Sequence, residues 1–287
     1  MNVFELIKRV LDEAFDDIQG TRDEKFNKIR AAQDAMSQRY QSLGVGGPGP
    51  SYGDPATRFA YVFRYVTSHA NLVAEAIANS AKLRDVFAAP TGGADTISVA
   101  CLGGGPGSDF IGVLKYMIKN GASASLLCHL LDKEGAWGDS WSGIGSMLEE
   151  IPFRVSTHFQ ALDVTLANTW DQQRRYLKAD IFTLIYFASE LWGVKDASEV
   201  FFKHVFGSAK PGAHILYIDN DSDIFTHWFD TLAAEVGLEE VQSWSEDARM
   251  PSDEQKDVLA SYLTHLGWPK MKARVAVRVL QKRQIDT

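Results

Sequence analysis

Between residues 96 and 219, short apolar runs alternate with amphipathic stretches of about ten to fifteen residues. The runs are TISVACL (96–102), SASLLCHLL (123–131), RVSTHFQAL (154–162), DIFTLIYF (180–187) and AHILYID (213–219). Parallel strands need long crossovers, and a helix in each crossover covers the sheet on both faces, which is why such strands read as nearly unbroken apolar runs. The rhythm therefore predicts an α/β fold built on a mostly parallel, doubly wound sheet. Two more strand-like runs follow without a regular crossover, LEEVQSWS (238–245) and KARVAVRVLQKR (272–283), with the helical insertion SDEQKDVLASYLTHLG between them. They predict an antiparallel C-terminal edge and bring the expected sheet to seven strands.

The first 89 residues have a different texture. Phe4, Ile7, Leu11, Phe15 and Ile18 recur at helical spacing, a second helix is expected over 22–42, and a third helical region runs from Pro55 to Phe87. LGVGGPGPSYGDP (43–55) breaks the periodicity and reads as a flexible connection, and APTGGAD (89–95) closes the region. The expected organisation is a helical N-terminal lid or substrate region over 1–89 and a sheet domain over 90–287.

The corner after the first strand, SVACLGGGPGSDF (98–110), carries glycines at 103, 104, 105 and 107. Such a cluster costs stability unless the backbone needs positive φ or something must approach it closely. It opens a helix, whose free N–H groups point at the same spot, so a ligand cradle is expected there. A nucleotide-hydrolase phosphate loop is excluded, because no Gly-Lys-Ser/Thr follows. The dinucleotide fingerprint G-x-G-x-x-G is not met either, since Ser108 stands where its third glycine would be.

The motif is instead G-x-G-x-G, and from here to residue 283 the chain resembles the class I S-adenosylmethionine-dependent methyltransferases. The resemblance implies a seven-stranded Rossmann-like sheet with the last strand inserted beside the fifth, and S-adenosylmethionine as cofactor. It implies cofactor contacts at Gly103, Gly104, Gly105 and Gly107. Asp132, ending the second strand, would bind the ribose hydroxyls, since a carboxylate accepts from two adjacent hydroxyls. Asp163, ending the third, would face the adenine amino group. Trp137 is expected beside the adenosine and Phe187, at the end of the fourth strand, beside the cofactor. Either acid alone would serve equally as a helix or turn cap. One departure stands out: the family usually places an acid two positions before the first glycine, and here that residue is Cys101.

Acceptor-side residues are expected after the fourth and fifth strands: Glu190, Asp219 and Asn220 as catalytic candidates, Trp192 as a substrate contact. In YVFRYVTSHA, Tyr61, Tyr65 and His69 share one helical face, so Tyr65 and His69 are further substrate-binding candidates. His69 and His227 are the candidate histidine bases. Cys101 and Cys128 lie in apolar runs and read as buried reduced thiols, and no residue set has metal-ligand spacing.

The net charge of −8 disfavours a nucleic-acid partner. There is no apolar run of about 18 residues and no secretory-type N-terminus, so no membrane partner and a cytoplasmic location are expected. The expected function is methyl transfer to an N or O nucleophile of a small molecule. The alternatives are an RNA methyltransferase, favoured a little by the basic KMKARVAVRVLQKR (270–283), and a non-catalytic regulatory protein that binds S-adenosylmethionine.

Overall fold

The computed structural model describes residues 2–88, 95–146, 148, 151–270 and 272–283. The strands are β1 (Thr96–Leu102), β2 (Ser125–Asp132), β3 (Val155–Ala161), β4 (Ile181–Ile185), β5 (His214–Asn220), β6 (Leu238–Arg249) and β7 (Lys272–Lys282). They form one sheet in the order β3-β2-β1-β4-β5-β7-β6. The pairs joining β1 to β5 are all parallel. β7 runs antiparallel between β5 and β6. This is the mostly parallel seven-stranded, Rossmann-like sheet that the resemblance to class I methyltransferases implies, including the last strand beside the fifth. Strand order reverses between β1 and β4, and ligands of open α/β sheets gather beyond the strand carboxyl ends at such a point.

Alternation along each strand feeds two cores. Ile97, Val99 and Cys101 face one layer, with Ile218 and Val277, while Ala100 and Leu102 face the other, with Phe182 and Tyr217. The second layer is covered by α9 (Lys195–Ser208) and α10 (Asp223–Glu235), which bring in Phe201, Phe202, Phe206 and Phe229. The first is covered by α6 (Ser108–Lys119), α7 (Trp137–Ser146) and the N-terminal helices.

Those helices are α1 (Val3–Asp17), α2 (Arg22–Ser42), α3 (Pro55–Tyr61), α4 (Thr67–Asn79) and α5 (Ala81–Ala88), with one π-helical stretch, Val62–Val66, joining α3 to α4. Their starts are specified locally. Asn2 caps α1, Thr21 and Glu24 form a capping box on α2, and Asp54 caps α3 ahead of Pro55. Phe4, Ile7, Phe59 and Val73 share one continuous core with the sheet. Lys115 of α6 is buried and donates to Asn71 of α4 (2.9 Å) and to Glu254 of the insertion. Glu254 in turn accepts the Val3 N–H (2.7 Å). Residues 37–52 extend to the strand carboxyl ends, where they line two cavities.

Three strand boundaries differ from expectation by two residues or more. β2 begins at Ser125, β6 continues to Arg249, and β4 stops at Ile185 rather than Phe187. The last has a clear cause: Tyr186 takes φ 57°, which turns the chain out of the sheet and opens the short α8 (Phe187–Leu191). The expected boundary at 89/90 and the end of the helical stretch at Glu150 fall outside the described residues. The insertion carries α11 (Ala260–Leu266). Among the described residues no helix is long and apolar enough to cross a membrane.

Candidate active site

The glycine corner holds the left-handed backbone its composition calls for, with φ 66° at Gly103 and 45° at Gly105. The two positions are restricted differently. A Cβ on Gly103 would lie 2.2 Å from the Phe187 ring, so the loop packs directly on the end of β4. Above Gly105 the nearest atoms, Trp137 Nε1 and Asp132 Oδ2, are 3.7 and 3.8 Å away. A methyl group would fit at Gly105 in ordinary contact with its neighbours, at the edge of the small chamber described below. Gly104 and Gly107 close the turn through a hydrogen bond from the Gly107 N–H to the Gly104 carbonyl (2.7 Å), and neither lines a cavity.

Beyond β1, β2 and β3 lies a cavity of about 390 Å3, within the range of small-molecule sites. It gathers Gly103, Asp132, Asp163, Phe187 and Glu190 beneath the 46–50 loop. Asp132 is anchored on both oxygens, accepting the N–H of Gly105 (3.0 Å) and of Glu134 (2.9 Å). Asp163 is held by Thr165, accepting its N–H (2.8 Å) and hydroxyl (2.7 Å).

A second cavity, of about 370 Å3, opens between the N-terminal helices and the ends of β4 and β5. Tyr40, Arg64, Tyr65, His69, Tyr186, Ser189, Asn220 and Lys270 are among its walls. The two meet at a chamber of about 20 Å3 bounded by Tyr52, Tyr61, Gly105, Asp132, Trp137, Tyr186, Phe187 and Glu190. Residues 186–190 are thus the partition, with Phe187 facing the first cavity and Tyr186 the second. Tyr186 is the one non-glycine residue at positive φ among the described residues. A bulky side chain there is a backbone outlier, and such strain gathers at functional sites.

Glu190 lines the first cavity and the chamber. Its Oε1 accepts from Tyr40 (3.0 Å) and Tyr52 (3.2 Å), whose hydroxyls are 2.8 Å apart. Burial pushes its carboxyl up to about 7 against the pull of those hydrogen bonds, with the charge of Asp132 adding to the rise. Burial likewise raises Asp132 to about 6, Asp219 to about 6, and Asp109, at the start of α6, to about 7. Among the described residues no cation lies within ion-pairing distance of any of these four. Trp137 is 1% exposed and its indole N–H is buried without an acceptor. The chamber and the adjoining end of the first cavity, both lined by Asp132 and Glu190, therefore combine carboxyls that no cation compensates with an orphaned donor, an arrangement that suits a cationic ligand carrying an acceptor group.

Other expected residues sit elsewhere. Trp137 borders the chamber, between Tyr52 and Tyr61, rather than the larger cavity expected to take the adenosine. Asp219 lines neither cavity. It is fully buried, and its oxygens accept the Ser189 N–H (2.8 Å), the Asn220 N–H (2.7 Å) and the Asn220 amide (3.1 Å), so it braces the partition. Trp192 packs on Phe225 and Trp228, outside both cavities, and His227 is exposed on α10. His69 is in the second cavity, stacked on Tyr186 at 4.5 Å, but burial and then the Lys270 charge drive it down to about 3. It is neutral at any ordinary pH and a poor general base. Cys101 points into the sheet interior, 3.6 Å from the Cys128 sulfur. The buried acid under the loop is instead Asp109, which accepts from Thr183 (2.6 Å).

The sequence reading did not identify Tyr40, Tyr52, Arg64, Tyr186, Lys270 or the 46–50 loop. Only the density of glycine and proline around Tyr52 marked that segment as unusual.

No family model matches the chain, and no curated protein matches it. Solved structures similar to it include an O-methyltransferase family protein from Burkholderia thailandensis, with 14% identity and a TM-score of 0.48 over 90% of this chain and 72% of that one. A SAM-dependent methyltransferase from Methanosarcina mazei has 9% identity and a TM-score of 0.44 over 67% and 94%. The N-methyltransferase NodS from Bradyrhizobium japonicum, in complex with S-adenosyl-L-homocysteine, has 8% identity and a TM-score of 0.38 over 75% and 100%.

Proposed function

We propose that this protein is an S-adenosylmethionine-dependent methyltransferase acting on an N or O nucleophile of a small molecule. The reading rests on the chamber where the two cavities meet. Its uncompensated carboxyls and the unpartnered Trp137 indole favour a ligand bearing both positive charge and an acceptor. S-adenosylmethionine fits that description, and when bound it supplies an electrophilic methyl group on a sulfonium. Gly103, Asp132, Asp163 and Phe187 would hold it in the first cavity, with Gly105 and Trp137 at the chamber.

The chain's own contribution is positioning and proton handling. Tyr40 and Tyr52 fix the Glu190 carboxylate at the chamber, and its titration near neutral lets it take a proton from an acceptor hydroxyl or ammonium at working pH. Asp219 orients Asn220 and the start of α8, so its role is to position the partition. The 46–50 loop and the N-terminal helices cover the strand ends and exclude water.

Incubation with methyl-labelled S-adenosylmethionine, separately with a small-metabolite extract and with RNA, tests the reading. Label is expected in the small-metabolite fraction. Label in RNA alone would replace the acceptor class, and no transfer to either despite tight binding would make the protein a sensor.

A further inference from the structure

Two cations line the second cavity, and among the described residues neither is ion-paired. Arg64, from the π-helical stretch, and Lys270, from the segment just before β7, both line it. The Lys270 N–H donates to the Arg64 carbonyl (2.9 Å), which fixes the two residues side by side. Lys270 Nζ lies 5.3 Å from the Tyr186 ring centroid and 5.7 Å from that of Tyr65, and the Arg64 guanidinium lies 5.9 Å from Tyr65. Among the described residues neither has a carboxylate within ion-pairing distance, and Arg64 Nε is buried without an acceptor. The carboxylate whose field reaches Lys270 is Asp219, which is committed to Ser189 and Asn220 behind the wall.

Two like charges set together in a partly buried cavity repel, and the cost stands unless something anionic shares the space. The rest of the lining agrees with an anion on a flat body. Tyr40, Tyr65, His69, Tyr186 and Phe225 supply aromatic walls, and Ser189, Ser222 and Asn220 supply neutral hydrogen-bonding groups. The carboxylates at the passage toward the first cavity, Glu190 and Asp132, lie on the far side of Tyr186.

We infer that the acceptor is a small aromatic anion, a carboxylate or a phosphate monoester, whose charged group is held by Arg64 and Lys270 while its nucleophile points past Tyr186 toward Glu190. This rests on the methyltransferase reading and adds the chemical class of the substrate.

The test is calorimetry on the full chain saturated with S-adenosylhomocysteine, using three probes of one shape: 4-hydroxybenzoate, 4-hydroxyphenyl phosphate and the neutral 4-hydroxybenzyl alcohol. At least one anion is expected to bind about ten-fold or more tightly than the alcohol, as charge-assisted hydrogen bonds allow, and the stronger of the two identifies the charged group. Lys270→Met should remove that preference and Lys270→Arg should keep most of it, while affinity for S-adenosylhomocysteine stays within about two-fold in both variants. Equal binding of all three probes, binding of none, or an anion preference that survives both Lys270→Met and Arg64→Met overturns the inference. Failure of S-adenosylhomocysteine itself to bind would strike the functional reading instead.

Discussion

The Glu190 carboxylate, in α8 just after β4, accepts a hydrogen bond from the Tyr40 hydroxyl of α2 at 3.0 Å, across 150 residues of chain. A side chain at the meeting point of the two cavities is therefore oriented by the N-terminal helical region, and the proton affinity of the site depends on that region being docked.

If Glu190 takes the acceptor's proton, turnover should depend on its ionised form. Log turnover is expected to rise with pH at unit slope and level off above about 7, the value to which burial raises Glu190. Glu190→Gln should lower turnover by about 100-fold or more and abolish that limb, with cofactor affinity less affected. A pH–rate profile of Glu190→Gln with the same limb would assign the titration to another group.

Asp109, Asp132, Glu190 and Asp219 all titrate higher in the fold than their ordinary values of 3.8 to 4.5. Between those values and about 6 to 7 the native state holds more protons than the unfolded chain, so stability of the free protein should fall as pH rises through this window. In the proposed site, cationic S-adenosylmethionine would meet the two of them that line it, Asp132 and Glu190, once they ionise. Its thermal shift, relative to that of neutral-sulfur S-adenosylhomocysteine, should be larger at about pH 8 than at about pH 5. Melting curves with the opposite trend would place the sulfonium elsewhere.

Gly103→Ala and Gly105→Ala should separate folding from binding. At 103 the new methyl meets the Phe187 ring, so loss of soluble or cooperatively melting protein is expected. At 105 nothing stands closer than 3.7 Å, and the cost is the left-handed backbone, about 1 to 2 kcal/mol. Gly105→Ala should fold and bind S-adenosylhomocysteine about ten-fold more weakly. Unchanged affinity would move the ligand off the glycine corner.

Deletion of residues 1–50 should cost the fold itself. It removes Phe4, Ile7, Leu11, Phe26, Ile29 and Met36, all buried in the core shared with the sheet, along with the Val3 contact to Glu254. Circular dichroism and thermal melting of the truncated chain should show loss of a cooperative transition. A well-folded truncation that still binds cofactor would make residues 1–89 a detachable lid.

The strand rhythm was legible because β1, β2, β4 and β5 are largely buried on both faces, and a parallel strand buried in this way cannot hide its apolar content, whereas β3 at the sheet edge is mostly half-buried or exposed. The grouping of Asp132, Asp163 and Phe187 followed from where strands end, once the sheet order was expected. Strand ends do not reveal side-chain direction, however. Asp219 at the end of β5 and Glu190 just after β4 occupy similar places in the sequence, yet one is spent on backbone N–H groups and the other faces the chamber. Arg64 and Lys270 carried no local signal, since a lone cation on a helix or loop reads as solvated until the fold joins it to a distant partner. Tyr186 was read as strand because tyrosine favours strands, and its left-handed turn is imposed by tertiary packing.

β7 occupies the middle of the antiparallel edge although it comes last among the strands in the chain. Among the described residues β6 pairs with β7 alone, so its ladder forms only once β7 has been made and threaded in beside β5. Lys270 lies just before that strand. During synthesis the β1–β5 part of the sheet can assemble well before the wall that carries Lys270. A nascent or clipped chain lacking β7 would expose the free edge of β5, a template for pairing with other chains, so the step that completes the second cavity is also the one that protects the molecule from aggregation.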